Sequence, residues 1–420
     1  MKQRILILSM TLILSLIPLA AYAGLGSIPY TYGFGARGIA MGSAYTALGG
    51  DASCAFYNPA AMASLEHSEF LMGYLYAAPQ FEGGPKNGDT STFDTANSAL
   101  QVNMLVKLNE MFKSRIPFAF GFNLALDDNG AAFIRFFDIK DEQGYFYRYG
   151  ESSFLLNGTL GVGITDWLFI GGGVMTTLHS DSNFYVETDL AGNTENEGII
   201  LDADVVIAPI GSLFLHFKPV DVGLTYHGQT HGEFVPITVT ATAYVGPSPL
   251  ADLPMKLLFK DSYFPHRVGL GALWRVTDTF KVSGDVVWYN WDRFDEEMGN
   301  DDLPRDEIDI NFVDIYVPHL GLEWEATESL FLRAGYGFED TPVDVPGSNG
   351  NVILDSPKHI ASAGLGYTWV DPPVFAKPLS FDGAYFMHYL LDNELTTGDD
   401  VEYESSGIIN GGVFSITLRY

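Results

Sequence analysis

The chain has 420 residues with 45 glycines, 14% aromatic side chains and a formal net charge of −30. Such an acidic chain repels phosphate backbones, which excludes DNA or RNA as a partner. The single cysteine, Cys54, excludes a framework of internal disulfides, and no histidine motif marks it as catalytic, so we expect a buried small residue. High glycine and aromatic contents indicate one large β structure, with small residues in the wall of a barrel and aromatic girdles around it.

The first 23 residues have the pattern of a signal peptide. Lys2 and Arg4 precede an apolar run over residues 5–19, and a small-residue site ends at Ala23. The run is too short to span a membrane comfortably as a helix, so we predict export and cleavage after Ala23. No later stretch of the sequence has the length of a transmembrane helix, so an inner-membrane protein is not expected.

Residues 24–65 show no strand pattern and are rich in glycine and alanine. The glycines between Gly33 and Gly38 follow no strand and precede no Gly-Lys-Ser/Thr, so they do not form a nucleotide-binding loop. From the sequence pattern alone, we interpret Asn58-Pro59-Ala60 as an ordinary turn, because Asn-Pro pairs are common in turns. A compact segment of this length ahead of the first strand is expected to fold into a barrel lumen as a hatch or plug.

Residues 66–420 predict an all-β fold, a transmembrane antiparallel β-barrel of about fourteen strands. The last strand has the clearest pattern, because apolar and polar residues alternate to the end of the chain. A closed barrel in lipid removes the edge that such a strand would otherwise expose. The predicted strands are 68–77, 99–108, 118–126, 154–164, 168–178, 205–217, 221–232, 264–276, 280–291, 316–324, 330–339, 359–370, 379–391 and 411–420.

The connectors between these strands alternate in length. Short turns are predicted at 165–167, 218–220 and 277–279, and long loops at 127–150, 179–204, 233–263 and 292–315. Bacterial outer-membrane barrels have short periplasmic turns and long external loops, whereas a soluble sandwich has no reason to sort its connectors. The pattern therefore predicts a protein of the Gram-negative outer membrane.

Carboxylates concentrate in the predicted outer loops, at 181–204, 292–314 and 392–404. The plain interpretation is that these are solvated loops. A second interpretation is that they bridge divalent cations to anionic lipopolysaccharide.

Alternation along the strands assigns charged residues and histidines to the lumen: Asp285, Arg333, Glu339 and Asp382, and by the same logic Arg275, Glu323, His319 and His388. Facing lipid would cost about 2–4 kcal/mol for an arginine at mid-membrane, so the inward assignment is favoured. These residues either fill the lumen as a structural network or contact the transported molecule.

The fourth long loop is unusually apolar for a solvent-facing segment. Its candidate ligand-binding residues are Leu250, Leu253, Lys256, Leu257, Leu258 and Lys260. The leucines recur at helical spacing, so we predict a short amphipathic helix between Pro249 and Asp261. Leucines would hold an acyl chain and a lysine its carboxylate, or the loop simply packs on the barrel rim. Since the acidic loops repel a carboxylate, a neutral hydrocarbon is the other candidate ligand.

The stretch from Tyr32 to the Asn58-Pro59-Ala60 triplet is similar to the N-terminal hatch of FadL-like outer-membrane transporters, which carry long-chain fatty acids and aromatic hydrocarbons. The resemblance continues in Leu-Arg-Ala-Gly-Tyr-Gly-Phe-Glu-Asp-Thr-Pro-Val at 332–343, in Asp-Ser-Pro at 355–357 and in residues 288–294. It implies a fourteen-stranded barrel closed by a hatch, with capture between outer loops, an internal pocket and lateral release.

The resemblance also implies where the lateral exit lies, at a kink in the third strand next to the hatch triplet. Carried over, the exit involves Asn58, Pro59 and Ala60 with the strand around Gly121. A general diffusion porin or a structural outer-membrane barrel is the alternative function. An enzyme is not expected because no Gly-x-Ser-x-Gly elbow is present. Neither a cofactor nor a metal is expected, since two histidines four residues apart on a strand lie roughly 13 Å apart.

Overall fold

The structure is a computed structural model. It describes residues 27–88, 90–94, 96–127, 134–136, 144–147, 154–189, 194–231, 234–245, 248–260, 263–294, 310–348, 351–373, 377–398 and 400–420. The predicted signal peptide, residues 1–23, lies outside the described residues, as do parts of the predicted outer loops.

Fourteen antiparallel strands pair in chain order and close into a barrel, which confirms the predicted fold class. The first strand pairs with the last from Glu69 opposite Arg419 to Pro85 opposite Tyr403, so the ring has no open seam. The strands are β1 Glu69–Pro85, β2 Asn97–Lys107, β3 Phe118–Asp127, β4 Phe154–Gly163, β5 Leu168–Asp189, β6 Thr194–Phe217, β7 Val220–His227, β8 Arg267–Arg275, β9 Phe280–Tyr289, β10 Ile315–Glu325, β11 Leu330–Glu339, β12 Lys358–Trp369, β13 Leu379–Thr396 and β14 Glu402–Arg419.

Period-two alternation gives the wall two different faces. In β14, Phe414 is 50% exposed, whereas its neighbours Val413 and Ser415 are buried. Large exposed side chains of the same kind cover the outside of the barrel: Tyr74, Tyr76, Trp274, Tyr316, Trp324, Tyr336, Tyr367, Trp369, Tyr385 and Tyr389. An outer face this rich in exposed aromatic residues is favourable in contact with lipid and unfavourable in contact with water.

Short turns collect at one end of the barrel, here called the turn end. Three of them begin with a threonine, Thr165, Thr277 and Thr327, whose Oγ1 accepts from the backbone N–H three residues on, at 3.0, 2.9 and 3.1 Å. A hydroxyl that satisfies its own turn explains why such short connectors suffice. The long connectors lie at the opposite end, the loop end.

Strand pairing at the loop end extends further than the sequence predicts. β5 and β6 stay in register from Leu168 opposite Leu215 to Glu187 opposite Asn196. The prediction of a loop at 179–204 is therefore wrong, because most of these residues form a hairpin. Residues 234–245 and 248–260 form a second hairpin, and Thr238–Tyr244 pair in parallel with β5. The barrel wall therefore continues outward as a small projecting sheet.

The amphipathic helix predicted between Pro249 and Asp261 is wrong, because Ser248–Lys260 is a strand. Pro254 in its middle would remove a helical hydrogen bond and clash with the preceding turn. Residues 234–245 offer a complete set of backbone partners and are rich in β-branched residues. Pairing therefore outweighs the helical spacing of the leucines.

Short strands also pair with one another at the loop end of the barrel. A five-stranded sheet contains Ile310–Phe312, Val343–Ser348, Asn351–Leu354, Gly144–Tyr147 and Ile134–Phe136. Thr230–His231 pairs with Tyr263–Phe264, and Ser91–Phe93 pairs with β1.

The described helices are short: α1 Ile28–Thr31, α2 Ala36–Ala40, α3 Cys54–Tyr57, a 3₁₀ helix Pro59–Ser64 and α4 Leu108–Phe112. Among the described residues, no helix has both the length and the apolar character needed to cross a membrane.

Candidate functional site: the filled lumen

Residues 27–65, here called the N-terminal segment, lie inside the barrel. They hydrogen-bond to inward side chains of strands all around the ring: Gln101 of β2, Asp285 of β9, Glu323 of β10 and Ser362 of β12. The aromatic rings of Phe34, Tyr45 and Phe56 are at most 1% exposed. The segment therefore occupies the cross-section of the lumen.

Glycines in the wall let the N-terminal segment approach the strands closely. A Cβ on Gly335 would lie 2.0 Å from the backbone N of Gly42. Cβ atoms on Gly223 and Gly171 would lie 2.0 and 2.3 Å from backbone atoms of the same segment. No side chain fits at such distances, so the glycines of the strands are required by the segment they enclose.

Burial also keeps two groups of the segment, Tyr57 and Cys54, protonated. It raises the pKa of Tyr57 to about 12, so the hydroxyl stays protonated while it accepts from the backbone N–H of Phe34 at 2.8 Å. It raises the pKa of the Cys54 thiol as well. A buried thiol with a raised pKa is a poor nucleophile.

Glu323 joins the N-terminal segment to the wall. Arg37 Nε and Nη2 donate to its two carboxylate oxygens at 2.7 and 2.9 Å. Lys281 Nζ and Arg333 Nε also donate to Glu323, at 2.9 and 2.8 Å. Arg333 Nη1 in turn donates to Asp382 at 2.6 Å. Of the residues predicted to face the lumen, Glu323, Arg333 and Asp382 are thus brought together.

Two other predicted lumen residues, Asp285 and Glu339, lie elsewhere. Asp285 accepts from the backbone N–H of Thr46 at 2.7 Å and so holds the N-terminal segment directly. Glu339 pairs with Lys358 at 2.9 Å near the loop end. Asp285 and Glu339 therefore face inward but lie outside the network around Glu323.

Glu69, which the sequence did not mark as functional, lies where the first and last strands meet. It is fully buried and accepts from the backbone N–H of Ala52 at 2.7 Å and from Arg419 Nε at 3.1 Å. His67 Nε2 lies 2.8 Å from the same carboxylate. One side chain therefore contacts both the seam of the barrel and the segment inside it.

The Asn58-Pro59-Ala60 triplet fits against strands β4 to β7. Asn58 Nδ2 donates to the backbone oxygens of Thr46 and Leu213 at 2.7 and 3.0 Å, and its Oδ1 accepts from the N–H of Ala60 at 3.1 Å. A Cβ on Gly161 of β4 would lie 2.4 Å from Pro59 O. Asn58 thus caps the 3₁₀ helix and fastens it to the wall.

Gly121 faces a different part of the N-terminal segment. A Cβ there would lie 2.4 Å from Met62 Sδ and 2.7 Å from Ala55 Cβ, so its neighbours are not the triplet. The described residues of β3 pair with β2 and β4 without a register shift, and no bulge marks a kink at Gly121. The structure therefore does not place the four predicted exit residues at one opening.

An aromatic cavity of about 50 Å³ lies between the N-terminal segment and the loop end. This aromatic cavity is lined by Tyr30, Met175, His227, Tyr263, Phe264, Arg267, Tyr289, Trp291 and Ile315, among others. A neighbouring space of about 40 Å³ shares Tyr30, Arg267 and Tyr289 with it and continues toward Tyr57. Each space exceeds the roughly 10–15 Å³ that one water requires.

Arg267 is a buried cation of the aromatic cavity that the sequence analysis missed. It is 8% exposed, and its guanidinium carbon lies 5.0 Å from the centre of the Tyr30 ring and 5.8 Å from that of Tyr289. Within the described part of the chain, its Nε has no hydrogen-bond partner. Among the described lining residues, Arg267 is therefore a cation in excess of the Glu339–Lys358 pair.

A second and larger space, about 590 Å³, lies on the turn-end side of the N-terminal segment. This turn-end vestibule is lined by charged residues that include Arg37, Asp51, Glu69, Asp221, Arg275, Lys281, Glu323, Arg333, Asp382 and Arg419. An aromatic cavity on one side and a charged vestibule on the other are thus separated by the N-terminal segment.

No group of three or more metal-ligating side chains occurs in the part of the chain that the structure describes. His227 lies on β7 with its Nδ1 2.7 Å from the hydroxyl of Tyr30.

The fold and the filled lumen define an outer-membrane β-barrel occupied by its own N-terminal residues. A family model described as "Outer membrane protein transport protein (OMPP1/FadL/TodX)" matches residues 221–404. Alkane uptake protein A of Marinobacter nauticus is 23% identical over 424 residues, which cover 95% of this chain and 92% of that protein. The chain is therefore similar to FadL-like outer-membrane transport proteins, by the family model over residues 221–404 and by the curated relative over nearly its whole length.

Solved structures of outer-membrane transport proteins have the same fold. A Pseudomonas aeruginosa FadL homologue matches with a TM-score of 0.60 and 16% identity, over 96% of this chain and 99% of that one. The Pseudomonas putida toluene transporter TodX matches with a TM-score of 0.59 and 15% identity, over 93% and 99%. The family consists of transport proteins or channels and not of enzymes.

Proposed function

We propose that this protein takes up hydrophobic molecules across the outer membrane, capturing them at the loop end, holding them in the aromatic cavity and releasing them sideways into the membrane. The observation that carries the proposal is the separation of the aromatic cavity from the charged turn-end vestibule by the N-terminal segment. Residues 24–65 act in this proposal as a hatch.

Polarity argues against passage straight through the barrel. An apolar molecule leaving the aromatic cavity toward the periplasm would displace water from a vestibule lined by at least ten charged side chains. Those charges lose hydration without gaining a partner, which is costly. Release through the wall into lipid avoids this cost. The residues predicted for the exit, Asn58, Pro59, Ala60 and Gly121, would have to separate from their present contacts.

The filled lumen also argues against a general diffusion porin. A porin needs an open aqueous path, whereas rings of the N-terminal segment such as Phe34 and Tyr45 are fully buried. The porin alternative therefore requires that the segment leave the lumen.

Two ligand classes fit the aromatic cavity. A neutral hydrocarbon fits the aromatic lining of the cavity. A relative that aligns with nearly the whole chain is named for alkane uptake. A long-chain fatty acid fits the excess cation of the cavity, because the carboxylate would pair with Arg267. Either occupant needs the cavity to widen, and the flexible Met175 side chain in its wall makes that easy.

Initial capture by residues 248–260 is part of the proposal and rests on their sequence. Leu250, Leu253, Lys256, Leu257, Leu258 and Lys260 now belong to a strand of the projecting sheet. Bridging of divalent cations to lipopolysaccharide likewise rests on sequence, since residues 295–309 lie outside the described part of the chain.

The proposal is tested by uptake in cells that lack their own hydrophobic-uptake barrels. Cells that express the protein should accumulate labelled hexadecane or palmitate faster than cells with the empty vector. Changing Tyr30 to Asp, which puts a charge into the aromatic cavity, should abolish the gain. Changing Asp340 to Asn at the exposed loop end is the control and should leave it intact. Equal uptake by expressing and empty cells would overturn the proposal.

A further inference from the structure

Three asparagines stand side by side on the lumen face of the wall. Asn103 of β2 is the register partner of Asn123 of β3, which is in turn the register partner of Asn157 of β4. All three are at most 1% exposed. Because neighbouring strands lie about 4.8 Å apart, the three amides form one continuous row, here called the asparagine row.

The asparagine row is not saturated with hydrogen bonds. Asn103 Nδ2 donates to Asn123 Oδ1. Within the described residues, Asn103 Oδ1, Asn123 Nδ2 and both amide atoms of Asn157 have no partner. Buried amide groups are nearly always paired, because an unpaired one forfeits its hydration without compensation. Four unpaired atoms in one row therefore require an explanation.

Packing does not explain the row. Of the six adjoining inward positions on the same strands, Gln101 and Thr159 are polar and have hydrogen-bond partners. The other four are small or apolar: Ala125 and Leu155 toward the loop end, Leu105 and Gly121 toward the turn end. Apolar side chains in the row would continue this surface without any unpaired polar atom. The amides are therefore better explained by a polar group that they receive.

The asparagine row ends next to the aromatic cavity. Met175 of β5 is the register partner of Asn157 and lines the cavity. Its sulfur accepts a hydrogen bond from the hydroxyl of Tyr30 at 2.8 Å. A methionine side chain is unbranched and changes rotamer readily. Rotation of this one side chain would join the amide of Asn157 to the cavity.

We propose that Asn123 and Asn157 form a hydrogen-bonding subsite of the aromatic cavity for an uncharged, oxygen-bearing head group, such as the hydroxyl of a long-chain alcohol. An amide donates and accepts, as a hydroxyl does, and neither brings a charge that needs a counterion. The subsite is separate from Arg267, which suits a carboxylate. The inference rests on the proposed function, because the cavity must receive the apolar chain.

The experiment compares the binding of radiolabelled 1-hexadecanol and n-hexadecane to the full-length, detergent-solubilised protein by equilibrium dialysis. Each ligand partitions into micelles equally for every variant, so the ratio of the two affinities compares variants directly. The wild type should bind the alcohol about fivefold more tightly than the alkane, the effect of one to two hydrogen bonds. Asn123→Leu and Asn157→Leu should bring the ratio to about one without weakening hexadecane binding.

Ser283→Ala is the matched control. Ser283 of β9 is as buried as the asparagines, and its Oγ also has no partner among the described residues, but it lies away from the row. The ratio should keep its wild-type value in this variant. Met175→Ala tests the same subsite without altering an asparagine, and opening the path to Asn157 should raise the ratio about threefold.

The outcomes separate the subsite from the proposed function. Hexadecane binding with a ratio of about one in the wild type overturns the subsite and leaves the proposed function standing. A ratio equal to that of the wild type in both asparagine variants also overturns the subsite. If those variants fail to fold, a ratio equal to that of the wild type in Met175→Ala overturns it instead. Failure of the wild type to bind either ligand overturns the proposed function, and the subsite with it.

Discussion

Arg37 of the N-terminal segment and Glu323 of β10 form a bidentate ion pair, with two N–O distances of 2.7 and 2.9 Å. Their side chains are 12% and 2% exposed. Parallel hydrogen bonds from a guanidinium to a carboxylate combine charge with fixed geometry. Because Lys281 of β9 and Arg333 of β11 donate to the same carboxylate, one residue connects the segment to three strands.

Changing Glu323 to Gln should loosen the N-terminal segment. Three cations would face a neutral amide, and breaking a buried pair from one side costs about 3–5 kcal/mol. We expect a lower unfolding temperature by heat-modifiable gel mobility and brief current steps in planar bilayers. Glu325→Gln, on the same strand and at the same vestibule, is the control and should resemble the wild type. A Glu323→Gln variant as stable and as silent as the wild type would show that the contact does not hold the segment.

Deleting residues 24–65 should open the barrel. The intact protein is expected to conduct ions poorly despite its fourteen strands, because the segment fills the lumen. The shortened protein should give large and steady currents in planar bilayers, provided that gel mobility shows an assembled barrel. Large steady currents from the intact protein would favour the porin alternative instead.

Changing Gly335 to Val should prevent the segment from seating. Even the first carbon of the new side chain would lie 2.0 Å from the backbone N of Gly42, and backbone cannot move aside cheaply. We expect a reduced yield of folded barrel, or an assembled barrel that conducts. Gly158→Val on β4 is the matched control, since a Cβ there meets no atom within 4 Å. Equal yields and currents for the two variants would contradict the close fit.

Changing Arg267 to Gln should separate the two ligand classes. A charge-assisted hydrogen bond contributes about 1.5–3 kcal/mol, so palmitate affinity should fall at least tenfold while hexadecane affinity stays constant. Both are measured on the purified protein by equilibrium dialysis. Arg275→Gln, which alters an arginine of the turn-end vestibule, should change neither. If palmitate binds equally well without Arg267, the excess cation is structural.

Changing Leu253 and Leu257 together to Asp should weaken uptake. Each buried leucine contributes roughly 1.5–3 kcal/mol, so partial loss of the capture site costs tenfold or more in apparent affinity. Lys256→Ala with Lys260→Ala should reduce uptake of labelled oleate and spare toluene. Expression and gel mobility must stay normal in each variant. A leucine double variant that takes up both compounds like the parent would place capture elsewhere.

Period-two patterning predicted every strand of the barrel, because one face of each strand meets lipid and the other the lumen. It failed at residues 248–260, where the leucine spacing suits a helix while Leu253, Met255, Leu257 and Phe259 suit a strand. Whether residues 248–260 form a helix or a strand depends on their pairing with residues 234–245. No local sequence pattern reveals that pairing.

The site was predicted less completely than the fold. Arg333 and Asp382 could be placed in the lumen because a charge in an apolar strand has only one favourable face. Arg267 escaped notice because part of its burial comes from Tyr30, which reaches it only when the N-terminal segment lies in the lumen beside Tyr289, the register partner of Arg267. Arg37, the one lysine or arginine of residues 24–65, was a signal that could have been used.

The position of Glu69 has a consequence for biogenesis. The closing of the ring buries its carboxylate, and its partners come from the last strand, through Arg419, and from the N-terminal segment, through Ala52. If the ring closed around an empty lumen, this carboxylate would lose one of its donors. We therefore expect the segment to enter before the first and last strands join, and pulse-labelled chains lacking residues 24–65 should close more slowly. The N-terminal segment would then control the last step of barrel assembly, the pairing of the first strand with the last.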